Sequence, residues 1–270
     1  MKCCICGTVK NCEKYLDRVF YNIEQIGVIF DKYKIFIYYD ESKDNTLQKL
    51  IDYKKTHNNF YYYYNKKYNS KYRTHRLAHG RNYCLNFIRN KCPTYEHFIM
   101  MDFDDVSCEQ VHPEILSKYL NRDDWDMLSF NKPDYYDIWA LSIKPYVFSY
   151  IHFNDPQNVL HNMKTYVMEH LNNLKEDELL KCISAFNGFA IYRTSKFINC
   201  RYDGKIRLDL IPNKMLEENI KQNNSKIVYN KCTWLDIRNE DCEHRSFHIH
   251  AIRKYNAKIR ISPEKLFENL

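Results

Sequence analysis

Within the first hundred residues one pattern repeats: a short apolar run, then a cluster of small polar or acidic residues, then a longer stretch with helical spacing. Residues 3–7 (CCICG) lead into residues 12–27, where Leu16, Val19, Phe20, Ile23 and Ile26 recur at helical intervals. Lys34 to Tyr39 (KIFIYY) leads through Asp40-Glu41-Ser42-Lys43-Asp44 into a helix carrying Leu47, Leu50, Ile51 and Tyr53. Asn59 to Asn65 reads as a third strand. Tyr72 to Asn90 follows as a helix, with Leu77, Cys84, Leu85 and Ile88 on one side. His97 to Met101 (HFIMM) is the fourth strand. Strand and helix in alternation predict a parallel α/β sheet, in which ligands bind beyond the carboxyl ends of the strands. Three such ends carry polar clusters: Thr8-Val9-Lys10-Asn11, Asp40 to Asp44, and Asp102 to Asp105.

The second half is less regular. Asp126 to Phe130, Ile138 to Ile143, Phe189 to Tyr192, Ile227 to Tyr229 and Lys258 to Ser262 read as strands, the last as the final one. Residues 144–180 read as helix and loop, and Lys214 to Gln222 as a helix. No Gly- or Pro-rich linker interrupts the 270 residues. They predict one domain, with a nucleotide-binding half at 1–110 and an acceptor-side half at 111–270.

A net charge of +7 suits acidic partners without choosing among them. No Lys/Arg run is long enough for a nucleic-acid arm, and no nucleic-acid-binding motif is present. The CC-x-C group at Cys3, Cys4 and Cys6, separated from Cys12 by a gap of five residues, lacks zinc-site spacing. The 11 cysteines are expected to be reduced, and those of the first strand buried. The start Met1-Lys2 has no secretory pattern and no apolar stretch reaches membrane-spanning length, so a soluble, cytoplasmic setting is expected.

Asp102-Phe103-Asp104 sets two carboxylates one residue apart after an apolar strand. Where the strand opens into a loop, both can face a hard divalent ion bridging a diphosphate. The competing use is a turn that caps the next helix. Asp40 is suited to a base edge or ribose hydroxyl, and Asp44 or Ser42 to a helix cap. Arg73, Arg76 and His79/Gly80 share one stripe of a helix. Their guanidinium forks match phosphate oxygens, or else form a solvated basic face.

The ordered blocks CICGTVKN, FIYYDESKDNT, RTHRLAHGRNYCL and FIMMDFDDV resemble the GT-A fold glycosyltransferases. WDMLSFN, YYDIWAL, SAFNGFAIYR and CEHRSFHIHAIRKYNAKIRISP extend the resemblance across nearly the whole chain. The narrower likeness is to fungal capsule-type mannosyltransferases and glycosyltransferases of giant viruses. The resemblance implies an α/β fold of GT-A (Rossmann-like) type, with a mixed, mainly parallel central sheet flanked by helices. It implies transfer of a sugar from a UDP- or GDP-linked donor, with Mn2+ or Mg2+, to a glycan, protein or other hydroxyl acceptor. Thr8, Asn11, Asp40 and Ser42 would then bind the nucleoside, and Arg81, beside Arg76, the ribose or phosphate. Asp102 would touch the ribose or the metal, and Asp104 would ligate it. Glu243-His244 matches a late acidic-His pair, making His244 a third metal ligand or diphosphate contact, with His248 in competition. Asp137 or Glu243 would serve an inverting transfer as base. Tyr136 and Trp139 stack on a sugar ring or belong to the core. Tyr39 stands where the group usually has a carboxylate, and a second glycine is missing beside Gly188. A homo-oligomer is compatible with all of this. Two other readings stay open. A sugar nucleotidyltransferase of similar fold normally has a Gly-rich loop after strand one, and GTVKN has one glycine. A non-catalytic glycan- or nucleotide-binding module is the other.

Overall fold

The computed structural model describes residues 1–228 and 239–268. The elements run β1 (Lys2–Val9), α1 (Glu13–Gly27), β2 (Lys32–Tyr39), α2 (Thr46–Thr56), β3 (Phe60–Tyr64), α3 (Arg73–Lys91), β4 (His97–Met101), β5 (Gln110–Val111) and α4 (Pro113–Tyr119). They continue with β6 (Met127–Phe130), α5 (Pro156–Asn172), β7 (Leu180–Cys182), β8 (Phe189–Arg193), α6 (Thr194–Phe197), α7 (Asn213–Asn223), α8 (Glu243–Tyr255), β9 (Ile259–Ser262) and β10 (Phe267–Glu268).

Eight strands form one sheet in the order β3-β2-β1-β4-β8-β6-β9-β7. The four strands from the N-terminal part are all parallel. β8 enters antiparallel between β4 and β6, β9 runs parallel to β6, and β7 closes the edge antiparallel. This is the mixed, mainly parallel sheet flanked by helices of a GT-A fold.

Side-chain alternation along β1 divides the core. Cys3 and Ile5 face α1, against Leu16, Val19 and Ile23. Cys4 and Cys6 face α3, against Ala78, Cys84, Leu85 and Ile88. Both faces are covered, so β1 reads as a continuous apolar run. All ten described cysteines are free thiols, and eight are buried. Among the described residues no helix is long and apolar enough to cross a membrane.

Three sequence expectations need correction. Ile138–Ile143 is not a strand. It begins as a turn, with Leu141 N donating to Ile138 O at 3.2 Å, and only Ser142 and Ile143 make isolated bridges. Its apolar residues fill the core, but Trp139 O and Leu141 O accept from a side chain of α8, and only Ser142 O meets neighbouring backbone, accepting from Ile183 N at 2.7 Å. Lys258–Ser262 is not the last strand, because β10 follows and pairs with β5. Of Ile227–Tyr229, Ile227 makes one bridge, to Phe153, and Tyr229 lies outside the described residues.

Candidate active site

A cavity of about 740 Å³ opens beyond the carboxyl ends of the parallel strands. That volume lies within the range of small-molecule sites. Its wall brings together Thr8, Asp40, Arg76, Arg81, Asp102, Asp104, Asp137, Glu243 and His244 from the sequence-derived candidates.

The acidic pair is set by the end of β4. Asp102 N donates to Gly188 O at 2.9 Å, and Gly188 has φ +82°, a conformation that favours glycine. Phe103 is 1% exposed and packs against Gly7, where a Cβ would stand 2.3 Å from its ring. The residues on either side then meet the cavity. Asp104 also caps the short 3-10 turn Asp105–Ser107, accepting from Val106 N at 3.3 Å, so the capping and cavity uses coexist. Asp105 is exposed and outside the cavity wall. Burial raises Asp102 to about 7. Arg81 opposes that shift, and the neighbouring Asp104 and Asp137 add to it. Burial and Asp105 raise Asp104. Two crowded, desolvated carboxylates are hard oxygen donors short of positive charge, which fits Mg2+ or Mn2+. No group of three His, Cys, Asp or Glu side chains able to hold a metal forms among the described residues.

Arg81, 4% exposed, is the hub behind this pair. It donates to Asp102 Oδ1 at 3.1 Å, ion-pairs with Glu243 and contacts His244 Nε2. A guanidinium only donates, so His244 Nε2 accepts and its proton sits on Nδ1, which has no hydrogen-bond partner. Burial and Arg81 hold the imidazole well below its usual range, hence neutral. His244 and Glu243 thus both meet Arg81, and all three, expected as diphosphate or metal contact, base, and ribose or phosphate contact, line the cavity as one buried network. His248 is fully buried and away from the cavity wall, between Ser184 Oγ at 2.9 Å and Tyr192 OH at 3.2 Å. Burial lowers it to about 3, so it is a core residue rather than a competing ligand.

On the opposite side Asp40 ties several chains. Lys10 Nζ lies 3.0 Å away, Asn65 Nδ2 donates to it at 3.0 Å, and Arg76 Nε stands at 3.9 Å. Asn65 closes β3, a fourth strand end that sequence reasoning left unused. Its position directly after the aromatic run FYYYY was the available signal. Asn11 and Ser42 do not line the cavity. Asn11 N donates to Ser42 Oγ at 2.9 Å and Lys43 N to Asn11 Oδ1 at 2.8 Å, so their polar atoms clasp the first two strand-end loops together. Asp44 accepts from Glu13 N and Thr46 N, the first residues of α1 and α2, at 3.0 and 3.1 Å, while the N-cap positions themselves are Cys12 and Asn45. Arg73 lines the cavity with no ion pair or hydrogen bond to the described residues.

Asp137 stands across from the acidic pair. Its N–H donates to Asn187 Oδ1 at 3.1 Å, and its Oδ1 accepts from Ala140 N at 3.1 Å. Burial raises its carboxyl to about 6. The Ala140 bond works against that shift, and Glu243 contributes to it. Tyr136 beside it is 54% exposed and lines the cavity with the half-buried Trp139, while Tyr135 is fully buried.

A sequence-family profile described as Glycosyl transferase family 2 matches residues 4–195. No curated protein matches the sequence. Among solved structures, TarS 1–349 of S. aureus is similar at 15% identity and a TM-score of 0.49, covering 99% of this chain and 59% of that one. The mannosyltransferase PcManGT from Pyrobaculum calidifontis, in complex with GDP-Man and Mn2+, has 13% identity and a TM-score of 0.43, covering 72% and 45%. Glucosyl-3-phosphoglycerate synthase from Mycobacterium tuberculosis, in complex with UDP, has 9% identity and a TM-score of 0.41, covering 73% and 58%. The chain thus spans less than two thirds of the length of these structures. The likeness to fungal capsule-type and giant-virus enzymes rests on the sequence blocks alone.

Proposed function

The chain belongs to glycosyl transferase family 2, and from that premise we propose that it moves a sugar from a UDP- or GDP-linked donor to a hydroxyl acceptor, with Mn2+ or Mg2+ held by Asp102 and Asp104. The observation that carries the reading is the convergence of those two carboxylates, Arg73, the Asp40 cluster and Asp137 in one cavity. Asp40, Thr8 and Asn65 form the nucleoside side. Lys10, Arg73 and Arg76 offer cations to a diphosphate. When bound, the divalent ion would offset the charge of the departing nucleotide diphosphate.

Asp137 serves as the base that takes the proton of the acceptor hydroxyl. Its raised carboxyl is matched to proton transfer near neutral pH. Glu243 is the poorer choice, being 2% exposed and ion-paired with Arg81. Tyr136 supports a sugar-ring acceptor by offering an exposed aromatic face beside Asp137. Ten free thiols support a reducing compartment such as the cytoplasm.

The test is incubation with UDP-GlcNAc, UDP-glucose and GDP-mannose, each with Mn2+ or Mg2+, monitored for nucleotide release. Metal-dependent release, lost in Asp104→Ala, is the expected result. Transfer of a nucleotide from UTP or GTP to a sugar phosphate would favour the nucleotidyltransferase. Nucleotide binding without turnover of any donor would leave a binding module.

A further inference from the structure

The first turn of α8 grips both walls of the cavity. Glu243 and Arg245 are two residues apart, roughly 200° around a helix, so their side chains leave in opposite directions. Glu243 reaches Arg81, and through it Asp102, on the donor side. Arg245, 3% exposed, is anchored by Asp241 at 3.0 Å. Its Nη2 donates to Trp139 O at 2.7 Å, and its Nη1 to Leu141 O at 3.0 Å and to Ser142 Oγ. Those acceptors lie in the turn that follows Asp137, where Ala140 N donates to the Asp137 carboxylate.

From this geometry we infer that Arg245 is a positioning residue: its guanidinium fork fixes the Trp139–Ser142 turn and so the aim of the Asp137 carboxylate. This inference rests on the glycosyl-transfer reading in which Asp137 is the base. The planar fork matters, because a lysine keeps the charge beside Asp241 but presents a single nitrogen to acceptors spread over three residues. Removing the fork would take a donor from the buried Leu141 carbonyl and leave the turn free to shift, and small misplacements of a reacting group are costly in rate. Because Glu243 works on the other wall, the two neighbours should fail differently. Loss of the Arg245 fork affects turnover, whereas loss of the Glu243 charge affects nucleotide binding.

The experiment uses the full chain and water as acceptor. Hydrolysis of UDP-GlcNAc, UDP-glucose or GDP-mannose with Mn2+ is followed, and calorimetry gives the Kd of the matching nucleotide with Mn2+. Arg245→Lys is expected to lower kcat about tenfold or more while Kd stays within about twofold. Ser142→Ala, which removes one acceptor and leaves the helix intact, should lower kcat about twofold to threefold with Kd unchanged. Glu243→Gln should weaken Kd by about fivefold or more. A purely structural role would instead scale active fraction and binding capacity together. The inference is overturned if Arg245→Lys keeps its kcat within about twofold of the parent, or loses Kd in parallel with kcat. Should Arg245→Lys not fold, the same split in Ser142→Ala decides. A parent protein that hydrolyses none of the donors removes the glycosyl-transfer reading and this inference together. Parent turnover with an unmoved Arg245→Lys removes the inference alone.

Discussion

Gly7→Ala tests how the acidic pair is held. The new methyl would lie 2.3 and 2.4 Å from two ring carbons of Phe103 and 2.5 Å from the carbonyl oxygen of Met101. All three are far inside van der Waals contact. The ring is 1% exposed and cannot swing into solvent, and the carbonyl belongs to β4. Overpacking of this kind costs typically 1–3 kcal/mol, and contact with backbone as well as ring puts Gly7→Ala near about 3 kcal/mol. At roughly 2–4 °C per kcal/mol for a chain near this size, Tm should fall by about 6–12 °C. Relief requires Phe103 to move, and Asp102 and Asp104 flank it, so Mn2+-dependent nucleotide affinity should weaken by about tenfold, the scale of a lost supporting contact. Thermal unfolding and calorimetry with Mn2+ and UDP or GDP read the two effects. Phe103→Ala costs about 3–5 kcal/mol by itself. In its background Gly7→Ala should cost about 1–2 kcal/mol less, though not zero, because the clash with the Met101 carbonyl persists. A Gly7→Ala protein with parental Tm and parental metal-dependent binding would refute this account of the site's support.

Burial gives Asp137 a folded pKa of about 6, against about 3.9 in an unfolded chain. As a base it must be ionised, so kcat should fall as pH drops through about 6. Its folded carboxyl holds the proton more tightly than the unfolded one, so the stability penalty of ionisation grows between about pH 4 and 6 and is complete above. Asp137→Asn, still able to accept from Ala140 N, should therefore raise Tm at pH 7.5, lose that advantage near pH 4, and lower kcat by about 100-fold or more, as thermal scans and donor assays would show. His248→Ala should destabilise by about 2–4 kcal/mol in denaturant titrations, through lost packing and two orphaned hydroxyl partners, and leave the Mn2+ requirement of turnover unchanged. Asp40→Asn should weaken nucleotide binding by about tenfold, and Ser42→Ala by less than about threefold with about 1 kcal/mol of lost stability, because Ser42 clasps loops rather than facing the cavity.

The N-terminal half was legible because its strands are buried on both faces and its helices carry one apolar stripe, so period and polarity coincide with structure. β4 was placed residue for residue, and the acidic pair beyond it follows from knowing where such a sheet binds ligands. The bond from Thr46 N to Asp44 at the start of α2 was legible from short-range chemistry, and the one from Glu13 N, 31 positions away, was not. Contacts distant in sequence were not. Asn11 and Ser42 are polar residues at the right strand ends, yet they satisfy one another across 31 positions. Arg81, Glu243 and His244 all reach the cavity, but as a buried network spanning more than 160 residues, which no spacing rule foretells. The stretch after Asp137 has the apolar run of a buried strand, yet local bonds to Asp137 and Ile138 and the arginine fork on α8 hold it as a turn. His244 and His248 share one face of a helix by spacing. What separates them is that Ser184 and Tyr192 occupy the second and Arg81 the first.

The free thiols turn this molecule into a record of its own opening. Cys3 and Cys12 lie under α1, Cys4, Cys6, Cys84 and Cys92 between β1 and α3, and Cys200 and Cys242 toward α6 and α8. Cys108 and Cys182 are only half buried. An alkylating reagent would therefore reach those two first, though slowly because burial raises both thiols, Cys182 to about 12, and the eight other described cysteines only through fluctuations, since a thiol must be both exposed and ionised to react. Peptide-resolved labelling over time would rank the layers by the free energy at which each parts. Shared rates for Cys3 with Cys84 would mean that both helical layers leave the sheet in one cooperative event, and separate rates would mean that one layer peels away first.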